Sequence, residues 1–218
     1  PDDVWATRNL EAPTRLTDLN PQLDDVALTH TELVEYLDVD GNTLYGILYY
    51  PIDYQPEQKY PLVAEIYEMF FDNGYNANMN LLASQGWFGF RPSVDLEIGY
   101  PGEAWLKGVT TAIYKVIDRG LVDEDKLGVH GTSYGGYATN LLITQTDRFK
   151  GASVGAMVSD WTSEYGPGFN HDVRLWYIGG TPWENPDEWR ERSALTHVGN
   201  VTTPTLILHG MNDRTDTE

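Results

Sequence analysis

The sequence predicts an α/β fold: a mostly parallel sheet covered by helices on both faces. Three observations carry that expectation. Short β-rich runs alternate with helix-period segments after residue 61. The best helix pattern, over 102–119, is closed by Gly120. A strand-like run at 127–130 leads straight into a glycine-rich turn and then a second helical segment. Strand and helix alternating at this pitch argue for parallel strands joined by helical crossovers.

Each element follows in order. Residues 1–30 are polar and irregular, with one short apolar run at 4–6. Then comes a hairpin: 31–39 alternates, Asp40-Gly41 is a turn signal, 43–50 is aromatic and β-rich, and Pro51 ends it. Residues 62–67 and 87–90 read as strands. Within 102–119, Ala104, Gly108, Ala112 and Val116 form one row at i, i+4, and Trp105, Val109, Ile113 and Ile117 form the adjacent row. Gly120 sits where a C-terminal cap belongs. Residues 127–130 form a strand, 137–146 suit a helix, and 152–154 and 205–208 are further short strands. No internal repeat or low-complexity tract interrupts this order.

Composition bounds the function. At 218 residues, 41% hydrophobic and 12% aromatic, one large domain with a sizeable core is expected. No run approaches the roughly 18 apolar residues needed to span a bilayer, and no signal peptide is visible at the start. Fourteen Lys and Arg stand against 33 Asp and Glu, a net charge of −19. Such a surface repels nucleic acid and anionic membrane, so neither is expected as a partner. With no cysteine, disulfides and cysteine-ligated metals are excluded. The five histidines are scattered and suggest no zinc site. Compartment and oligomeric state have no signature here.

The sharpest chemical signal is Gly131-Thr132-Ser133-Tyr134-Gly135-Gly136. The pattern G-x-S-x-G is short, but a strand precedes it and a helix pattern follows. That context is a nucleophile elbow, the mark of the α/β-hydrolase fold. Such a turn is tight, and a Cβ at Gly131 or Gly135 would crowd the serine backbone. It would hold the Ser133 hydroxyl above the strand ends, near the start of a helix.

The second signal is Leu208-His209-Gly210-Met211-Asn212-Asp213-Arg214, a strand followed by a loop that carries an aspartate. In α/β-hydrolases the chain order is Ser, then Asp or Glu, then His. The acid fixes the histidine tautomer and stabilises its positive form. Asp213 has the right place, with Asp216 as the neighbouring rival. The base should follow the acid, yet no histidine does. His209 precedes the acid beside the strand, His130 belongs to the strand below the elbow, and His197 lies in a helix-to-strand connection. His30 and His171 lie in irregular stretches.

These residues resemble the prolyl oligopeptidase family of serine peptidases, including its acylaminoacyl-peptidase and dipeptidyl-peptidase-like members. The resemblance rests on 131–137, on the lead-in 120–129, and on 203–214, and covers roughly residues 30 to 218. Residues 4–6 and 15–21 resemble the last strand of that family's β-propeller and its exit. The resemblance implies that 1–30 is the remnant of a propeller strand and linker. It implies that 31–218 is a catalytic domain cut short at its C-terminus, with the catalytic histidine beyond it. It also implies an oxyanion hole from the amide of Tyr134 and the residue after an early strand, here Tyr67. Many members carry a glycine-rich segment there, whereas this chain reads Tyr67-Glu68-Met69-Phe70-Phe71-Asp72. Trp161 and Tyr165 follow the next strand, where the family builds an aromatic wall of the substrate pocket, although both also suit an ordinary core or lid.

The expectation is therefore a serine hydrolase that cleaves short peptides through an acyl-enzyme on Ser133, with no cofactor. A carboxylesterase uses the same machinery. A non-catalytic binding module is the alternative for a chain without the base. The chain as written is expected to be a very poor hydrolase with an active parent, and to expose an apolar edge around 206–208.

Overall fold

The computed structural model describes residues 3–8, 12–68, 75–97, 101–168 and 171–213. Near the start, β1 (Trp5–Ala6) and β2 (Thr14–Arg15) pair antiparallel as a separate ribbon. The carboxylate of Asp3 pins the ribbon: it accepts from the Leu19 amide at 2.9 Å and the Thr17 hydroxyl at 3.0 Å, and pairs with Arg15 at 2.6 Å.

The expected hairpin follows as β3 (Thr31–Leu37) and β4 (Thr43–Tyr49), in register from Thr31 opposite Tyr49 to Leu37 opposite Thr43. Asp38 organises the turn by accepting the amides of Asp40 at 2.9 Å and Asn42 at 2.8 Å, while Gly41 takes φ +86°. Next come β5 (Tyr60–Glu65), α1 (Ala77–Ser84), β6 (Phe88–Pro92), α2 (Pro101–Asp118), β7 (Val122–Thr132), α3 (Tyr134–Gln145) and β8 (Gly151–Gly155). The short helices α4 (Trp161–Tyr165), α5 (His171–Ile178) and α6 (Pro186–Glu191) precede β9 (Thr205–Leu208).

The seven strands from β3 to β9 form one sheet in the order β3-β4-β6-β5-β7-β8-β9. The hairpin and the β4–β6 pair are antiparallel, and every pairing from β6 to β9 is parallel. Successive residues of β4 face opposite sides of the sheet. Leu48 joins the main core with Trp105, Val109, Ala112 and Val116 of α2, while Ile47 and Tyr49 pack with Met79 of α1 on the other side. Helices thus lie on both faces.

Most boundaries fall within two residues of the sequence reading, and the larger departures have local causes. Helix α3 starts at Tyr134 instead of Tyr137, because Gly135 and Gly136 lie inside its first turn. Strand β7 starts at Val122, five residues before the apolar run, through pairing of Val122 with Tyr60 across a register shift. Helices α1 and α4–α6 have no counterpart in the sequence expectation. Among them, α1 and α4 are started by side-chain caps: Asn76 accepts the Met79 amide at 3.0 Å and Asp160 accepts the Thr162 amide at 3.0 Å. The Gly120 cap is as expected, with φ +76° and its amide on the Ile117 carbonyl at 2.8 Å. The apolar edge is also present: Leu206, Ile207 and Leu208 of edge strand β9 are each more than half exposed. No helix among the described residues is long and apolar enough to cross a membrane.

Candidate active site

Ser133 stands between the end of β7 and the start of α3 with φ 58° and ψ −125°. The left-handed region is uncommon for a residue with a side chain. Its backbone is held from both sides. The Ser133 amide donates to the Gly155 carbonyl at 2.9 Å, and the Ser133 carbonyl accepts from the Tyr137 amide at 3.0 Å.

The elbow glycines answer to close backbone approach. A Cβ at Gly131 would lie 2.1 Å from the Gly135 carbonyl oxygen. One at Gly135 would lie 2.3 Å from the Ile66 oxygen, and one at Gly136 2.5 Å from the Gly155 oxygen. The nearest clashes are thus not with the serine at either position: at Gly131 they come from Gly135 within the first turn of α3, and at Gly135 from the neighbouring chain beyond β5. Gly136, the third glycine of the motif, is under the same constraint from the residue that ends β8.

Tyr67 follows β5 by two residues and is 43% exposed. Because β5 and β7 are parallel, it leaves the sheet at the same edge as Ser133. Its ring lies along the elbow helix, with Cδ2 3.0 Å from where a Gly135 Cβ would be. Its carbonyl accepts the indole Nε1–H of Trp105 at 2.8 Å, which ties the loop after β5 to α2. Of the segment 67–72 quoted above, Met69, Phe70, Phe71 and Asp72 lie outside the described residues.

Asp213 sits in the turn after β9, its amide donating to the Gly210 carbonyl at 3.0 Å. Since β7, β8 and β9 are mutually parallel, Asp213 and Ser133 lie beyond the same carboxyl edge of the sheet. Ligand sites of open α/β sheets gather at that edge. His209 comes close to the acid, with Nε2 4.0 Å from Asp213 Oδ2. Asp216 lies outside the described residues.

Comparison with known proteins turns on this region. Residues 99–215, more than half the chain and including both Ser133 and Asp213, match the prolyl oligopeptidase family. The chain belongs to that family. It is 28% identical over 98% of its length to YuxL, an uncharacterized peptidase of Bacillus subtilis. It is 31% identical over 97% of its length to dipeptidyl peptidase 8 of Mus musculus. The chain spans 35% of the first of these relatives and 25% of the second. Acylaminoacyl peptidase of Pyrococcus horikoshii has the same fold, with a TM-score of 0.85, 22% identity, and coverage of 99% of this chain and 37% of that one.

Around this prolyl oligopeptidase elbow, aromatic rings fill the space behind the serine. Trp161 opens α4, is buried, and meets Tyr137 edge-on at 4.8 Å, with Tyr134 at 6.5 Å. Tyr165, one turn on, lies instead in a second aromatic group, 5.3 Å from Trp183 and 5.2 Å from Trp189. The structure therefore brings Trp161 to Tyr134 and Tyr137, and Tyr165 to a different wall. Burial pushes the phenol pKa of Tyr134 and Tyr137 upward, so both rings are neutral.

The remaining histidines have structural surroundings. His130 Nδ1 is 3.2 Å from the Ser153 carbonyl within the sheet, His197 Nε2 is 2.9 Å from the Glu191 carbonyl, and the His30 ring is 5.2 Å from that of Tyr50. The side chain of His171 is outside the described residues. Among the described residues, no three or more His, Cys, Asp or Glu side chains gather as metal ligands.

Sequence reasoning missed two residues near the elbow, Glu68 and Tyr177. The Tyr177 hydroxyl hydrogen-bonds the Glu68 carboxylate across 109 positions of sequence. Only the glutamate's place directly after Tyr67 hinted at it.

Proposed function

We propose that residues 31–218 are the hydrolase domain of a longer serine peptidase, with 1–30 leading in from a preceding domain. Ser133 attacks the scissile carbonyl and forms an acyl-enzyme. Asp213 orients a histidine that follows it in the longer chain, and that histidine takes the serine proton and later returns it to the leaving amine. The Tyr134 amide, together with Tyr67, holds the developing oxyanion. Trp161 walls the substrate pocket beside Tyr134 and Tyr137, and Tyr165, with Trp183 and Trp189, forms a separate aromatic wall. No step calls for a cofactor.

The observation that carries this reading is the Ser133 backbone, held in a left-handed conformation at the helix start within a family-matched segment. A plain glycine turn with an incidental serine has no need of such a conformation at the serine itself. The names of the relatives support short peptides as substrates, either free dipeptidyl or N-acylated aminoacyl.

The test uses the full natural chain that contains these residues. A fluorophosphonate probe is expected to label it at Ser133, and Ser133→Ala to abolish both labelling and turnover of dipeptidyl or N-acetyl-aminoacyl p-nitroanilides. Asp213→Ala is expected to lower kcat by on the order of 10⁴. A much smaller loss would transfer the acid role elsewhere, with Asp216 the next to replace. Faster turnover of simple p-nitrophenyl esters than of every peptide anilide would favour an esterase. His209→Ala, which removes the imidazole 4.0 Å from Asp213, is expected to leave turnover within about threefold of normal, since in this fold the base follows the acid.

A further inference from the structure

Tyr134 immediately follows the nucleophile, and its ring is clamped from two sides. On one side the Trp105 indole meets it edge-on at 5.1 Å. On the other the Tyr177 ring stacks on it at 4.1 Å, within 13° of parallel. Each clamping ring is tied by a hydrogen bond to one of the two consecutive residues Tyr67 and Glu68 after β5. Trp105 donates to the Tyr67 carbonyl at 2.8 Å, and the Tyr177 hydroxyl donates to Glu68 Oε1. The Tyr134 hydroxyl is itself buried and makes no hydrogen bond among the described residues. Packing alone therefore sets the angle of its ring.

We propose that Glu68 and Tyr177 are a positioning pair for the oxyanion hole. The bond from Tyr177 to Glu68 holds one phenol ring flat on the other. The stacked Tyr134 ring in turn fixes the peptide plane at residue 134, whose amide faces the substrate oxygen. Since Glu68 is bonded to Tyr67 in sequence, one link sets both donors relative to each other. This rests on the reading of Ser133 as nucleophile and of the Tyr134 amide and Tyr67 as donors. Donors placed in advance act without reorganisation at the moment of reaction, and a loosened donor loses part of that advantage. Nothing in the arrangement requires the charge of Glu68, only an acceptor at Oε1.

The experiment measures kcat and KM on a peptide anilide, with fluorophosphonate labelling rates, in the full natural chain. Tyr177→Phe keeps the stacked ring and removes only the hydroxyl. Glu68→Ala removes the acceptor, and Glu68→Gln retains it. Tyr177→Phe and Glu68→Ala are each expected to lower kcat about tenfold with KM changed by less than about twofold. The double variant is expected to be no worse than either single, since one bond is lost in all three. Glu68→Gln is expected to restore kcat to within about threefold of the unmodified chain. Labelling should slow in proportion to kcat.

Unchanged kcat in Tyr177→Phe, losses confined to KM, or effects that multiply in the double variant would each overturn the pairing. If Glu68→Ala fails to fold, Tyr177→Phe decides alone. Should Ser133→Ala retain turnover, the underlying assignment of the nucleophile fails. Should Ser133→Ala be dead and both pair variants be fully active, only the positioning role fails.

Discussion

Adding one methyl group at Gly135 separates the two jobs of the elbow, holding the chain and aiming the serine. In Gly135→Ala the new Cβ would fall 2.3 Å from the Ile66 oxygen and 3.0 Å from Tyr67 Cδ2. Carbon atoms of this kind essentially never approach within 3.0 Å, so helix α3 and the strand end must part by at least about 0.7 Å. The parting runs along the line between the nucleophile helix and Tyr67. Misplacement by about 1 Å can cost on the order of 100-fold in rate. On the proposed role of Ser133, we therefore expect Gly135→Ala in the full natural chain to slow fluorophosphonate labelling by about 30- to 100-fold. The overpacking should also lower stability by about 1–3 kcal/mol, read as a shifted urea midpoint. Gly151→Ala serves as the control. It lies at the first residue of β8, far from the elbow, and a Cβ there meets nothing within 4 Å. It should label at the unmodified rate. Equal labelling of Gly135→Ala and Gly151→Ala would refute the reasoning, for it would mean that the spacing between Ile66 and α3 does not govern the serine.

Two further outcomes follow from packing and charge. Trp189 is fully buried against Tyr165 and donates from Nε1 to the Gly180 carbonyl at 3.0 Å; Trp189→Ala should cost about 3–5 kcal/mol in chemical denaturation. The hydrogen bond from Arg119 to Glu32, 2.8 Å long, holds the Glu32 pKa below its ordinary value of 4.5 and joins β3 to the residue after α2. A depressed carboxylate stabilises the fold above the unfolded pKa and loses that contribution as pH falls through the folded one. Because both side chains are about a third exposed, the contribution is at most about 1 kcal/mol. Glu32→Gln should remove it at pH 7 and flatten the acid limb of the stability profile below about pH 4.5, measured by thermal melts across pH.

How far the sequence speaks depends on how local the cause is. The hairpin was legible because its alternation and its Asp40-Gly41 turn lie within a few residues of each other. Helix α2 was legible because Trp105, Val109, Ala112 and Val116 recur at the helical period on one buried stripe. The elbow was legible because the constraint at Gly131 is mostly internal, its Cβ meeting the oxygen of Gly135. Other features depend on distant chain. The reason for Gly135 is Ile66, and the reason for Gly136 is Gly155. Helices α4–α6 are short, and Trp161, Tyr165 and Trp189 find their partners across loops and not along one face. The same holds for Tyr165, which reads as a neighbour of Trp161 in sequence but turns to Trp183 and Trp189 in space.

Ser133 is not alone in its unusual backbone. Ala156, just past the end of β8, also takes a positive φ, 44°, and is the other described residue with a side chain to do so. The two lie at the same edge of adjacent parallel strands, each cross-bonded to the next: Ser133 to Gly155, and Ala156 to Leu208 at 2.8 Å. Conformations of this kind persist only where the surroundings over-determine them. Selection for robustness alone would place glycine at both positions, relaxing the backbone and gaining margin against unfolding. At Ser133, where the side chain is the proposed nucleophile, robustness and chemistry therefore stand in opposition. Screens for hardier variants of this chain should recover glycine at these two positions, and on the proposed role of Ser133 the one there would be hardier and inert.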